Sequence, residues 1–273
     1  MATALAILLS APSAASAELQ AASGPSEAGA PEVFTEVNRG ELIFDRAEHK
    51  AELTFRVRDS GPIDVKIRLI DTSKDRVIKD WEDTVRDADT RTVAWRGVTS
   101  GDLEAERRYA FRVRATDDGG ASTESAGAND TKRDSFKFWH HRFPVRGAHQ
   151  YWDGLGAGRD HQGQDLGADC GTRLDAARGG KVQYVGYHAA AGNYIVIDGK
   201  KTGRDYVYMH LENSPLVNTG DRVHAAERIG SVGATGNASG CHLHFEMWSG
   251  PGWYEGGSVM DPTPPLKSWD RYS

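Results

Sequence analysis

No stretch of this chain keeps a helical period, whereas short runs alternate with a period of two from Leu53 to Glu246. Such alternation puts successive side chains on opposite faces of a strand and marks half-buried antiparallel sheet. In the first half the runs are Leu53–Arg58, Ile63–Leu69, Thr92–Trp95 and Tyr109–Ala115, with Arg and Lys on the outer face. Turn-forming clusters separate them at Asp59-Ser60-Gly61-Pro62, Thr99-Ser100-Gly101 and Asp117-Asp118-Gly119-Gly120. In the second half the runs are Lys181–Val185, Asn193–Asp198, Tyr206–His210 and His242–Glu246. The expected fold class is all-β: a β-sandwich followed by a compact antiparallel β domain.

At 273 residues the chain accommodates two domains. Residues 1–17 read as an export signal: Ala4–Leu9 is a short apolar core, and Ala15-Ser16-Ala17 fits a small-residue cleavage site. No Lys or Arg precedes the apolar run, no lipidation Cys follows it, and no later segment is apolar enough to span a membrane. Residues 18–31, rich in Ala, Ser, Gly, Pro and Glu, read as a linker. Residues 32–138 have the spacing of a small β-sandwich. Ser100–Gly120 resembles the end of immunoglobulin-like or fibronectin-like modules, although the usual Gly before the Tyr is absent. His49 stands alone there, and residues 121–134 read as a loop. From about residue 139 Gly becomes dense, and seven of the ten His follow Phe143, which makes 139–273 the region with chemistry. A net charge of −6 argues against nucleic-acid binding, which needs a basic field.

Three segments carry that chemistry. In Arg159-Asp160-His161-Gln162-Gly163-Gln164-Asp165, His161 and Asp165 are four apart and would share one face of an extended strand. Tyr208-Met209-His210-Leu211 is the second. In Gly240-Cys241-His242-Leu243-His244-Phe245-Glu246, the two imidazoles would point the same way. A catalytic zinc takes three N and O ligands and keeps one position open. Two further His nearby would move protons and hold developing negative charge. Spacing alone leaves open which of His242 and His244 is a ligand.

These motifs, with Phe143-Pro144-Val145, Gly220-Asp221-Arg222-Val223 and Ile229–Gly236 around them, resemble the lysostaphin/LytM-type zinc endopeptidases of peptidoglycan over residues 143–250. The resemblance implies zinc on His161, Asp165 and His244, catalytic roles for His210 and His242, and a compact antiparallel β domain with the metal in a groove. It also implies an exported enzyme, in or near the cell wall, whose substrate is peptidoglycan. Nothing demands more than a monomer. Asn193 and Tyr208 are candidate substrate contacts, Glu246 a candidate hydrogen-bond acceptor behind the metal, and His149 and His188 candidate groove residues; His224 sits in a turn.

Cys170 and Cys241 flank the metal motifs. In an exported protein they are expected to form a disulfide closing a loop of about 70 residues, for which chain entropy gives on the order of 4 kcal/mol. A thiolate ligand is the rival reading, weakened by the complete His-Asp-His set. The family also contains degenerate members that regulate other wall enzymes, so a silent or autoinhibited wall-binding regulator is the alternative function. Amidases and D-Ala-D-Ala peptidases share the ligand types but fit the three motifs less well.

Overall fold

The computed structural model describes residues 19–44, 49–87, 89–127, 130, 132–158 and 160–273. The expected export signal, 1–17, lies outside them. Among the described residues the fold is all-β apart from one helix, Thr263–Asp270, and the chain divides into two compact units, the second made mainly of His140–Ser273.

The first unit is built from two antiparallel sheets. One runs Gln20–Ala21, Glu32–Val37, Ala51–Arg58, Thr90–Trp95 in spatial order; the other runs Ser135–Trp139, Arg107–Thr116, Ile63–Asp71, Arg76–Val85. The period-two runs bury one face as their pattern requires. Ala51, Leu53, Phe55 and Val57 are buried while Glu52, Thr54 and Arg56 are only partly covered and Arg58 is exposed. Trp95 of the first sheet lies 4.9 Å from the Tyr109 ring and 5.1 Å from Phe138 of the second, centroid to centroid, so the rings fill the space between the sheets. The Tyr109 hydroxyl donates to the Ala105 carbonyl at 2.8 Å, the geometry of a tyrosine corner.

Two sequence expectations change here. Residues 19–31 are tied to the sheet rather than forming a detached linker: Gln20–Ala21 pairs with Phe34 and Thr35, and Glu27 N donates to Ser122 O. The 121–134 stretch contains a short strand, Ser122–Glu124, that turns back on Arg114–Thr116. In both places backbone hydrogen bonds order a segment whose side chains carry no period.

The second unit is organised by one large antiparallel sheet. Its order is Gln150–Tyr151, Gln164–Gly167, His242–Ser249, Arg204–Leu211, Gly192–Gly199, Gly180–His188, Arg222–Val223, with Val259–Met260 also paired to His242–Ser249. One face packs Leu166, Ile195, Ile197, Tyr206, Tyr208, Leu243, Phe245 and Met247 into the main core with Leu266 and Trp269 of the helix. The other face carries Val196, Val207 and Trp248, over which Tyr194, Met209 and Trp253 pack. The helix was not legible as a period, because it is eight residues long and begins Thr263-Pro264-Pro265, where fixed proline φ favours a first turn.

Candidate metal centre and groove

The central strand His242–Ser249 sorts its side chains by parity. Leu243, Phe245 and Met247 go to the core, and His242, His244, Glu246 and Trp248 go to the opposite face, where they too are buried. On one side its neighbour is Gln164–Gly167, and the register sets Asp165 directly opposite His244. Directly paired residues bring their side chains together on one face. His244 Nδ1 lies 2.8 Å from Asp165 Oδ1.

His161 reaches the same point from elsewhere. The strand begins at Gln164, so His161 does not share it with Asp165 as the four-residue spacing suggested; it ends the loop before it. That loop folds back, with Gly156 N donating to His161 O at 2.8 Å, and His161 Nε2 arrives 3.1 Å from Asp165 Oδ1. Gly163 makes the approach possible: a Cβ there would lie 2.4 Å from the Phe245 carbonyl and 2.8 Å from His244 Nε2.

His161, Asp165 and His244 therefore offer one ligand atom each, all within 4.8 Å of one another. Two nitrogens and one carboxylate oxygen are the donor set of a catalytic zinc-type site. The nitrogens turned away are satisfied as metal-bound imidazoles require. His161 Nδ1 is 2.9 Å from Gly154 O, and His244 Nε2 is 3.1 Å from Glu246 Oε1. The residues fit a divalent metal. Without one, burial works to raise the Asp165 carboxyl, but the hydrogen bond from His244 and the surrounding imidazoles hold it below the usual carboxylate range. Burial works to lower His244, but hydrogen bonds to Asp165 and Glu246 outweigh it and push the imidazole up to about 9.

His210 reaches the groove through a backbone irregularity. Tyr206 and Tyr208 face the core, so simple alternation would send His210 there too. Between Tyr208 and Leu211, however, the register against Gly192–Gly199 slips, and His210 takes a left-handed φ of 64°. This is a β-bulge, which re-aims a side chain at the cost of local strain. The loop that follows fixes the outcome: His210 Nδ1 lies 2.8 Å from Thr235 O, leaving Nε2 toward the groove. Gly192 lets that loop come close, since a Cβ there would meet Thr235 Oγ1 at 2.3 Å. His242 Nδ1 similarly bonds Gly240 O at 2.9 Å, and the two rings stand 4.7 Å apart. Burial, with the neighbouring imidazoles, pushes His210 down to about 4, against the hydrogen bond to Thr235. Its imidazole is neutral at pH 7 and able to accept a proton.

All five His and Asp residues line one open groove of about 620 Å³ with His188, Tyr194, Met209, Trp253 and Tyr254. Of the other sequence candidates, Glu246 is buried and faces the centre, bonded to His244. Tyr208 is corrected: it is fully buried on the core face, where its hydroxyl accepts from Ala177 N at 2.7 Å, leaving no surface for a substrate. Asn193 uses its side-chain amide on Leu211 O at 3.2 Å, bracing the strand next to His210. His149 lies away from the groove, 3.2 Å from Asp270. His224 begins a turn, its N–H bonded to Glu227. The Cys170–Cys241 disulfide is formed, with Cα atoms 5.3 Å apart, and sews the end of the Asp165 strand to the start of the His242 strand. The aromatic wall of Tyr194, Trp253 and Tyr254, and the Thr235 brace, carried no sequence pattern that would have singled them out.

The model of peptidase family M23 matches residues 159–262, a span that contains all five site residues. A peptidoglycan DD-endopeptidase of Vibrio cholerae, ShyC, is 40% identical over 89 residues, 32% of this chain and 20% of that protein. The glycyl-glycine endopeptidase ALE-1 of Staphylococcus capitis is 34% identical over 113 residues, 41% of this chain and 30% of its own. This chain thus spans less than a third of the length of either curated relative. Among solved structures, the catalytic domain of lysostaphin from Staphylococcus simulans is similar at 30% identity and a TM-score of 0.40, over 44% of this chain and 92% of that one.

Proposed function

We propose, from the match of residues 159–262 to the model of peptidase family M23, that this chain is an exported zinc endopeptidase of that family that hydrolyses peptide bonds in bacterial peptidoglycan. The observation that carries the reading is the convergence of His161 Nε2, Asp165 Oδ1 and His244 Nδ1, with His210 and His242 beside them in one groove. A zinc ion held by the three ligands supplies Lewis-acid polarisation of a substrate carbonyl and a water acidic enough to attack near neutral pH.

The remaining chemistry belongs to the chain. His210, neutral with Nδ1 committed to Thr235, takes a proton at Nε2. His242, with Nδ1 committed to Gly240, presents Nε2 to the same space, where in its protonated form it steadies charge on the reacting carbonyl oxygen and gives that proton to the departing amine, the proton taken by His210 then restoring it. Glu246 keeps the His244 ring oriented, and the disulfide keeps the two ligand-bearing strands in register. In this reading residues 139–273 are the peptidase domain, and 32–138 are an immunoglobulin-like module that positions it at the wall. The tyrosine corner supports that assignment.

The test is release of new amines from purified peptidoglycan by the zinc-loaded full chain, beside His244→Ala. Release by the wild type alone is the expected result, and mass analysis of the fragments names the bond. A wild type that binds one zinc yet releases nothing points instead to a catalytically silent or autoinhibited wall-binding regulator of other wall enzymes.

A further inference from the structure

Behind the metal ligands lies a buried carboxylate. Glu246 is 3% exposed. Its two oxygens do different work. Oε1 accepts from His244 Nε2 at 3.1 Å. Oε2 accepts from two indoles at once, Trp248 Nε1 at 2.7 Å and Trp253 Nε1 at 3.2 Å. A buried carboxylate stays ionised only if its lone pairs are met by donors. Its orientation toward His244 holds only if the second oxygen is pinned.

The two indoles come from different places. Trp248 is on the central strand, two residues beyond Glu246, and is itself buried. Trp253 is on the turn after that strand and forms part of the groove lining with Tyr194 and Tyr254, whose rings stand 5.6 and 4.8 Å from it. Its backbone is anchored separately: Trp253 N donates to the buried Asp205 carboxylate at 2.8 Å. The indole N–H is thus held over Glu246 by a fixed turn. A hydrogen-bonded chain runs from the groove wall, through Trp253 and Glu246, to His244 and its ligand atom Nδ1.

We propose that Trp253 is a positioning residue for the metal ligand His244, acting through Glu246 jointly with Trp248, so that one side chain both walls the groove and sets the ligand. This rests on the zinc-site reading above. The imidazole must present an unprotonated Nδ1 to the metal, and a fixed carboxylate at Nε2 selects that tautomer. Loss of either indole donor frees the carboxylate to rotate and weakens the selection without altering any ligand.

The experiment is zinc affinity of the full chain by competition with a chromophoric chelator, for wild type, Trp253→Phe, Trp248→Phe, Glu246→Gln and the double variants of each indole with Glu246→Gln. Phe keeps an aromatic ring in place and removes only the donor. Outer-layer partners of metal ligands are worth about 10–100-fold in affinity. Trp253→Phe is expected near the lower end, about 10-fold weaker, and Trp248→Phe at least as weak. In the Glu246→Gln background the further loss from Trp253→Phe should shrink to less than about 2-fold, because the indole acts through the carboxylate. A merely structural role would leave that loss intact, and that result overturns the proposal, as does unchanged affinity in Trp253→Phe. If Trp253→Phe does not fold, Trp248→Phe makes the same test through the same oxygen. A wild type without measurable zinc affinity overturns the zinc-site reading itself, and this proposal with it.

Discussion

The two units treat the outer face of a strand in opposite ways. In Ala51–Arg58 every second residue is buried and the intervening ones meet solvent to varying degrees, so the strand has one packed face. In His242–Ser249 the first seven residues are all buried, four of them polar or amphipathic and turned toward the groove. The first unit spends its alternation on a core; the second uses one face for the core and encloses the other to make a site. Buried polar groups follow the same division. In the first unit they brace backbone, as when Ser125 Oγ accepts from Val113 N at 3.1 Å, or close a turn, as when Asp71 holds Ser73 and Arg107. In the second, four of them, His210, His242, His244 and Glu246, converge on one groove.

The sharpest way to break this comparison is His244→Ala. It removes one of the three proposed metal ligands, so zinc binding and amine release from peptidoglycan should both fall to background, while circular dichroism of the folded chain changes little. If hydrolysis survives, the groove face is not where the chemistry lies. His210→Ala should be milder, cutting the rate by about 10²–10⁴-fold with one zinc still bound, as expected for loss of a single proton-transfer group; zinc content measured beside the rate separates the two variants. On the other side of the comparison, Phe55→Ala in the first unit should cost about 3–5 kcal/mol in denaturant unfolding of that unit by emptying core volume, and leave the turnover of folded enzyme unchanged.

The disulfide lies between these extremes. Replacing Cys170 and Cys241 with Ser opens a loop of 71 residues in sequence separation, for which chain entropy gives about 4 kcal/mol, read as a shift in the second unit's unfolding midpoint. The smallest expected effects are in pH. Burial works to raise Asp71, but bonds from Ser73 and Arg107 outweigh it and hold its carboxyl below its ordinary value, so it contributes stability that is present above that value and lost as pH falls through the depressed one. His244, raised to about 9 in the metal-free protein, contributes stability that is complete below about 6.5 and lost as pH rises through about 9. Unfolding midpoints in chelator across this range should therefore weaken at the acid end in the first unit and at the alkaline end in the second. Asp71→Asn should remove the acid contribution, and saturating zinc the alkaline one.

Legibility from sequence followed the same line. Where one face is solvated, as in Ala51–Arg58 and Ile63–Asp71, alternation gave the strand to within two residues. Arg76–Val85 escaped, because its burial runs irregularly and charged Arg76, Lys79, Asp80, Glu82 and Asp83 interrupt any period. The candidate site residues were legible as residue types, but not their backbone setting: His161 lies in a loop that needs Gly163, and His210 needs a bulge that alternation forbids. Tyr208 looked like a groove residue only because it neighbours His210 in sequence; the same bulge sends the two side chains to opposite faces. The indoles on Glu246 were invisible for a further reason. Trp253 lies seven residues past its partner, across a turn, and no spacing rule joins them.

The place of His242–Ser249 in the sheet also sets an order of events in time. It is the last long strand of the chain to be made, yet it lies between Gln164–Gly167 and Arg204–Leu211, both finished earlier. Until residues 242–249 emerge, those two strands have no partner to hold them side by side, Cys170 has no Cys241, and His161 and Asp165 have no third ligand. In a growing chain the proposed metal centre is thus completed in one late step, when a single strand slots into the gap left for it.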